Sequence, residues 1–237
     1  MTYALLAADA LDRLARWRPA DPAQAALAVD YAAFLRDGPD IDSTDADADA
    51  EADDGAAPAR AGAVARDAGP EHLTGSCFVL SPELDRVLLC YHRKGRFWVQ
   101  VGGHLEPGDT TLPGAALREA REESGIADLR PFEPEAWALP VDVHRHELAA
   151  AFGRCRAHRD VGFVAFADPS APTAVSDESE DVAWFPVHDL PPGTPPDFPQ
   201  RLATVLAEVR HRRRAADDGR ATRTAAGPAA GAHPSGG

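Results

Sequence analysis

Three glutamates, Glu119, Glu122 and Glu123, stand at i, i+3 and i+4 within the stretch GGHLEPGDTTLPGAALREAREESGI, which runs from Gly102 to Ile126. On a helix of about 3.6 residues per turn all three side chains share one face. Carboxylates placed that way repel one another. The cost makes chemical sense if a hard divalent cation sits among them, because such ions bind through oxygen. A cation held there can neutralise anionic oxygens and align a water for attack. A merely solvated acidic helix would need neither the Gly102-Gly103 pair upstream nor Gly125 downstream, so the chemical reading is preferred.

The local signals place these glutamates on a helix. Thr110 or Thr111 can cap its N-terminus, and Pro113 is tolerated in the first turn, where its missing N–H is not needed. Ala115, Ala116, Leu117 and Ala120 favour helix, and Gly125 supplies a left-handed stop. Ahead of the helix, Gly102 and Gly103 allow close approach of the backbone to a ligand, and Pro107-Gly108 marks a turn.

With Gly103, Arg118, Glu119, Glu122, Glu123, Gly125 and Ile126 in register, the segment resembles the Nudix box, the signature of the Nudix hydrolases. It departs from that signature in four places. Asp109 stands where a glutamate is usual, eight residues rather than seven separate it from Arg118, Ala120 replaces a bulkier aliphatic residue, and Val101 replaces a common proline. The extra residue falls at the helix start, where a longer loop absorbs it without rotating the glutamates.

The resemblance implies an α/β/α sandwich with a mixed sheet over roughly residues 70–212. It also implies Mg²⁺, with Mn²⁺ as the alternative, held by Glu119, Glu122, Glu123 and the Gly102 carbonyl. The implied activity is hydrolysis of a pyrophosphate bond in a nucleoside diphosphate derivative or nucleoside triphosphate. Glu122 is the first choice as ligand or base. Glu119 and Arg118 complete the catalytic group, with Arg118 expected to pair with a box carboxylate rather than touch substrate. Asp109 would hold the loop by such a pair. Glu178, just before a strand, is the candidate base outside the box. A nucleotide-sensing module without turnover, or an isomerase-type member of the same fold, are the competing readings. The retained carboxylates weigh against the first of these.

Other polar clusters leave alternatives open. Asp142, His144 and His146 alternate along one strand and so share a face, as do His158 and Asp160. They fit a solvated strand face, contacts to substrate phosphate, or a zinc site. His104 and His158 are candidate substrate contacts. Lys94, in the loop Arg93-Lys94-Gly95-Arg96, is another, against the alternative of a solvated hairpin tip. Phe97 or Trp98 could stack on a base, while strand alternation turns the other inward.

Composition bounds the rest. With 44% hydrophobic residues in 237 the chain can bury a core, and no apolar run is long enough to span a membrane. The N-terminus lacks the features of a signal peptide, and Cys77, Cys90 and Cys155 read as reduced thiols, so the expected location is cytoplasmic. The net charge of −14 argues against nonspecific nucleic-acid binding. Nine acidic and no basic residues fall between Asp37 and Asp54. Residues 37–69 therefore read as an acidic disordered linker, and residues 213–237, rich in Ala, Gly, Arg and Pro, as a disordered tail.

Residues 1–36 read as a helical hairpin with Leu5, Leu6, Leu11, Leu14 and Trp17 on one stripe, followed by Val29, Tyr31 and Phe34. It is too short to be stable alone. It must pack on the main domain or on a second subunit, the latter giving a homodimer. Strands are predicted over Leu73–Leu80, Arg86–Tyr91, Phe97–Val101, Val141–Leu148, Val161–Ala167 and Val182–Pro186, with a final helix over Pro199–Arg214.

Overall fold

A computed structural model describes residues 3–39, 58–148 and 154–225, with side chains to residue 218. The acidic run Asp45–Asp54 lies outside the described residues.

Two helices, α1 (Tyr3–Arg16) and α2 (Pro22–Asp37), open the chain, followed by a 3₁₀ turn at Ala61–Ala63. The strands are β1 (Glu71–Leu80), β2 (Arg86–His92), β3 (Phe97–Val99), β4 (Val101–His104), β5 (Arg130–Pro131), β6 (Asp142–Glu147), β7 (Ala157–Phe166) and β8 (Ser179–Pro186). Helix α3 (Leu112–Ser124) lies between β4 and β5, and α4 (Phe198–Ala225) ends the chain. The strands form one eight-stranded sheet in which β1 and β7 run parallel and the other pairs are antiparallel. The protein is thus α/β with a mixed sheet.

Strand β1 is the spine, and nine of its ten residues are buried because both faces are covered. Its odd-numbered residues face α3: a Cβ at Gly75 would sit 3.5 Å from Ala116. Its even-numbered residues Phe78 and Leu80 pack with Phe198, Leu202, Val205 and Leu206 of α4. This two-sided cover gives the sandwich.

The helical hairpin packs on the main domain, on the α3 side of the sheet. Leu6, Ala7, Ala10, Leu14, Tyr31 and Leu35 join one cluster with Leu105, Leu112, Ala116, Val143 and Val161. Leu5 and Val29 do not belong to the buried stripe; they are 52% and 72% exposed. The inward face runs through Leu6, Ala10, Leu14 and Trp17, one position away from Leu5. Polar staples fix the docking. Buried Arg13 donates to the Ala138 carbonyl at 2.5 Å and pairs with Asp9. The Gln24 amide accepts from Val143 N–H at 2.7 Å and donates to the Val143 carbonyl at 3.2 Å, completing the exposed side of β6.

Three sequence expectations shift. Residues 58–69 are packed rather than linker, because Ala63, Val64 and Ala65 bury themselves beside the hairpin. The last helix extends to Ala225, beyond the predicted Arg214, since alanines and arginines that read as tail also favour helix. Val101–His104 forms a strand: β4 pairs Gly102 with Ser76 and Gly103 with Gly75. Glycines read locally as a loop, but tertiary pairing overrides that weak preference.

Candidate active site

Helix α3 begins and ends where the sequence places its signals. The Thr111 hydroxyl accepts from Gly114 N–H at 3.1 Å, and Asp9 of α1 accepts from Leu112 N–H at 2.8 Å. Gly125 adopts φ 70° and donates to the Arg121 carbonyl at 2.9 Å. The glutamates of its last turns lie against the glycines of β4. Glu123 is 5% exposed and accepts from Gly102 N–H at 2.7 Å. A Cβ on Gly103 would stand 2.6 Å from a Glu119 carboxylate oxygen, and one on Gly102 would stand 2.5 Å from Ser76 Cα. Gly102, at φ 155° and against backbone, requires glycine, whereas a side chain at Gly103 would have to displace the Glu119 carboxylate.

Arg118 ties the loop to the helix. Its guanidinium grips Asp109 with two 2.9 Å hydrogen bonds and donates to the His104 carbonyl at 3.0 Å. It also reaches Glu119 at 3.0 Å and Glu122 at 3.2 Å. Asp109 in turn accepts from Glu106 N–H at 2.8 Å. The shorter carboxylate and the extra residue leave the clamp intact.

Burial pushes the carboxyls of Glu119 and Glu123 up to about 7, Arg118 and the Gly102 N–H respectively offsetting part of that shift. Two acids held short of full compensation by protein are a fitting donor set for a cation. The Glu122 side chain is 58% exposed and drawn to Arg118. Among the described residues the three glutamates do not converge to within 4.8 Å of one another, whereas three histidines do.

Beside the glycines opens a cleft of about 390 Å³. Lys94, His104, His158 and Glu178 all line it, as do Gly102 and Gly103. Arg93 and Lys94 therefore sit at the cleft rather than at a remote hairpin tip. Phe97 lines the cleft, and Trp98 turns to Phe185 at 4.9 Å between ring centroids. Sequence reasoning missed Arg66 and Gln100. Arg66 fell in the supposed linker, and Gln100 sits at an unremarkable junction between two short strands.

The strand face of alternating polar residues is not solvated. Asp142 is fully buried against Arg201 at 2.5 Å, and burial raises its carboxyl. His144 pairs with Asp197 at 2.9 Å. Asp160 accepts from Thr74, Ser76 and Gln100 at 3.1, 2.6 and 3.1 Å, forming the cleft floor. Cys77 and Cys90 are buried free thiols and Cys155 is half-buried; burial pushes Cys77 up to about 12.

The histidines make the metal-free fold acid-sensitive. Burial lowers His72 and His144 to about 4, His104 to about 3 and His158 to about 2, and lowers His92 and His146 as well. Below 6.5 the unfolded chain binds more protons at these sites than the folded one. Stability present above that pH is lost as pH falls toward 4. Glu119 and Glu123, raised instead, act oppositely between 4.5 and about 7. Six lowered histidines against the raised carboxyls of Glu119, Glu123 and Asp142 give a net loss on acidification. We expect Tm without metal to fall from pH 7.5 to pH 5 and to fall more steeply in a Glu119→Gln/Glu123→Gln variant. A Tm that rises over that range would contradict this balance.

The sheet, the glycine-backed glutamates and the clamp define an α/β sandwich with a carboxylate cluster beside a cleft. The model of the NUDIX domain matches residues 70–209, and the chain belongs to that family. Hydrolases of this family generally cleave pyrophosphate bonds in nucleotide derivatives and generally use divalent cations. Comparison with curated proteins gives no match.

Among solved structures the chain is similar to a NUDIX-family hydrolase from Clostridium perfringens (22% identity, 59% of this chain and 96% of that one, TM-score 0.46). It is also similar to a C. elegans Ap4A hydrolase (16% identity, 59% and 98%, TM-score 0.47). A third is the E. coli dihydroneopterin triphosphate pyrophosphohydrolase (19% identity, 55% and 91%, TM-score 0.44). No helix among the described residues is long and apolar enough to cross a membrane.

Proposed function

We propose that this protein is a Mg²⁺-dependent pyrophosphohydrolase of a nucleoside diphosphate derivative or nucleoside triphosphate, with Mn²⁺ as the alternative ion. The observation that carries this reading is the placement of half-buried Glu119 and buried Glu123 directly behind the glycines of a cleft that also holds Arg66, Arg93 and Lys94. Glu119, Glu122, Glu123 and the Gly102 carbonyl would hold the cation. Once bound, it supplies charge neutralisation at the anhydride and lowers the pKa of a coordinated water.

The remaining work falls to side chains. Lys94 and Arg93 offset phosphate charge at the cleft rim, and Phe97 offers a face for a base. Arg118 acts as a positioning residue, because its donors are directed at Asp109, Glu119, Glu122 and the His104 carbonyl rather than into the cleft. Glu178, exposed on the cleft wall, can accept a proton from water, and Glu122 is the competing base. The intact Asp109–Arg118 clamp weighs against a non-catalytic sensing module, since it keeps the loop and helix in the arrangement that turnover needs.

The test is a panel of nucleoside triphosphates and nucleoside diphosphate derivatives assayed with Mg²⁺, with Mn²⁺ and in excess EDTA. At least one compound is expected to be split between phosphates, with activity abolished by EDTA. Turnover that persists in EDTA would overturn the metal mechanism. No turnover of any compound would favour the sensing reading.

A further inference from the structure

Three histidines from three different strands meet on the cleft wall, and the proposed hydrolysis gives them no task. His72 lies on β1, His104 at the end of β4 and His158 on β7. Strand register brings them together, pairing His72 with His158 and Thr74 with His104. Their ring centroids form a nearly equilateral triangle with sides of 5.1, 5.0 and 5.1 Å. One ligand nitrogen from each lies within 4.8 Å of the other two, and among the described residues no other trio of His, Cys, Asp or Glu converges so closely. His72 is fully buried. His158 Nε2 is buried with no hydrogen-bond partner, a costly arrangement for a polar nitrogen.

We propose that His72, His104 and His158 form a binding site for a zinc-class transition-metal ion, distinct from the carboxylate site on α3. Imidazole nitrogen suits zinc and its neighbours in the first transition row, whereas Mg²⁺ prefers oxygen. Zinc–nitrogen bonds of 2.0–2.1 Å in a tetrahedron imply nitrogen separations of about 3.4 Å. Binding would require side-chain rotations that close the observed spacing to that value. The ordered strands supply the rigidity that a three-histidine site needs. Because His104 and His158 line the cleft, the fourth coordination position opens toward it. A metal there places positive charge on a wall whose imidazoles otherwise remain neutral.

Binding is measured directly, so the test does not depend on the hydrolytic reading. The full chain, stripped of metal, is titrated with Zn²⁺ against a chromogenic chelator. One ion per chain is expected at micromolar affinity or tighter. A Glu119→Gln/Glu122→Gln/Glu123→Gln variant should retain that affinity within about 3-fold, while His104→Gln and His158→Gln should each weaken it by at least about 10-fold. Absence of micromolar binding, or binding lost with the glutamates and unaffected by the histidine changes, overturns the site. Should either histidine variant fail to fold, X-ray absorption on the zinc-loaded parent decides. A shell containing three nitrogens near 2.0–2.1 Å supports the site, and an oxygen-only shell refutes it.

Discussion

Replacing Glu122 with Gln is expected to lower kcat by on the order of 10²-fold or more, the scale of losing a general base or its equivalent. The change keeps side-chain size and helix preference and removes one charge. Stability should barely move. Glu122 lies on the exposed side of the helix, and its pair with Arg118 is one that solvent screens. Relief of repulsion from Glu119 and Glu123 offsets that loss in the metal-free protein. A large fall in turnover with an unchanged Tm separates a working carboxylate from a structural one. Normal Mg²⁺-dependent turnover by Glu122→Gln on a confirmed substrate would remove that residue from the mechanism and leave Glu178 as the base to examine.

A loss of stability as well as activity is expected at Arg118. Its side chain is 23% exposed and its partner Asp109 only 7%. Arg118→Met strips a buried carboxylate of its counter-charge and releases the His104 carbonyl as well. Breaking one side of a buried pair costs several kcal/mol, so a loss of about 2–3 kcal/mol is expected after allowance for partial exposure. Activity should fall with it, because the loop is no longer tied to the helix. Adding Asp109→Asn removes the stranded charge while keeping the acceptor for Glu106 N–H, and should restore more than half of the lost stability. Urea denaturation of the two single variants and the double variant measures the coupling. Additive losses would show that Arg118 and Asp109 do not act as a clamp.

The parts of this protein legible in its sequence are those decided within a few residues. The α3 helix, a cap at Thr110 or Thr111, its Gly125 stop and the shared face of its glutamates all follow from spacing and backbone preference. The clamp from Arg118 to Asp109 follows from the resemblance to the Nudix box rather than from local preference. What escaped depends on partners far along the chain. β4 is a strand only because Ser76 and Gly75 lie opposite its glycines. The trio of His72, His104 and His158 needs the registers of β1, β4 and β7 at once. His144 and Asp142 share a face with His146, as alternation requires, yet α4 and the residues just before it take them away from the cleft through Arg201 and Asp197.

The bond from Leu112 N–H to Asp9 spans 103 residues, and that from Arg13 to the Ala138 carbonyl spans 125. The helical hairpin precedes every strand in the chain, but the core cluster it joins includes residues as late as Phe163. During synthesis the hairpin must therefore wait, unpartnered, for the centre of the sheet. Because the hairpin shares a core with the sheet, a chain started at residue 70 would expose the apolar seat of α1 while losing one cap of helix α3.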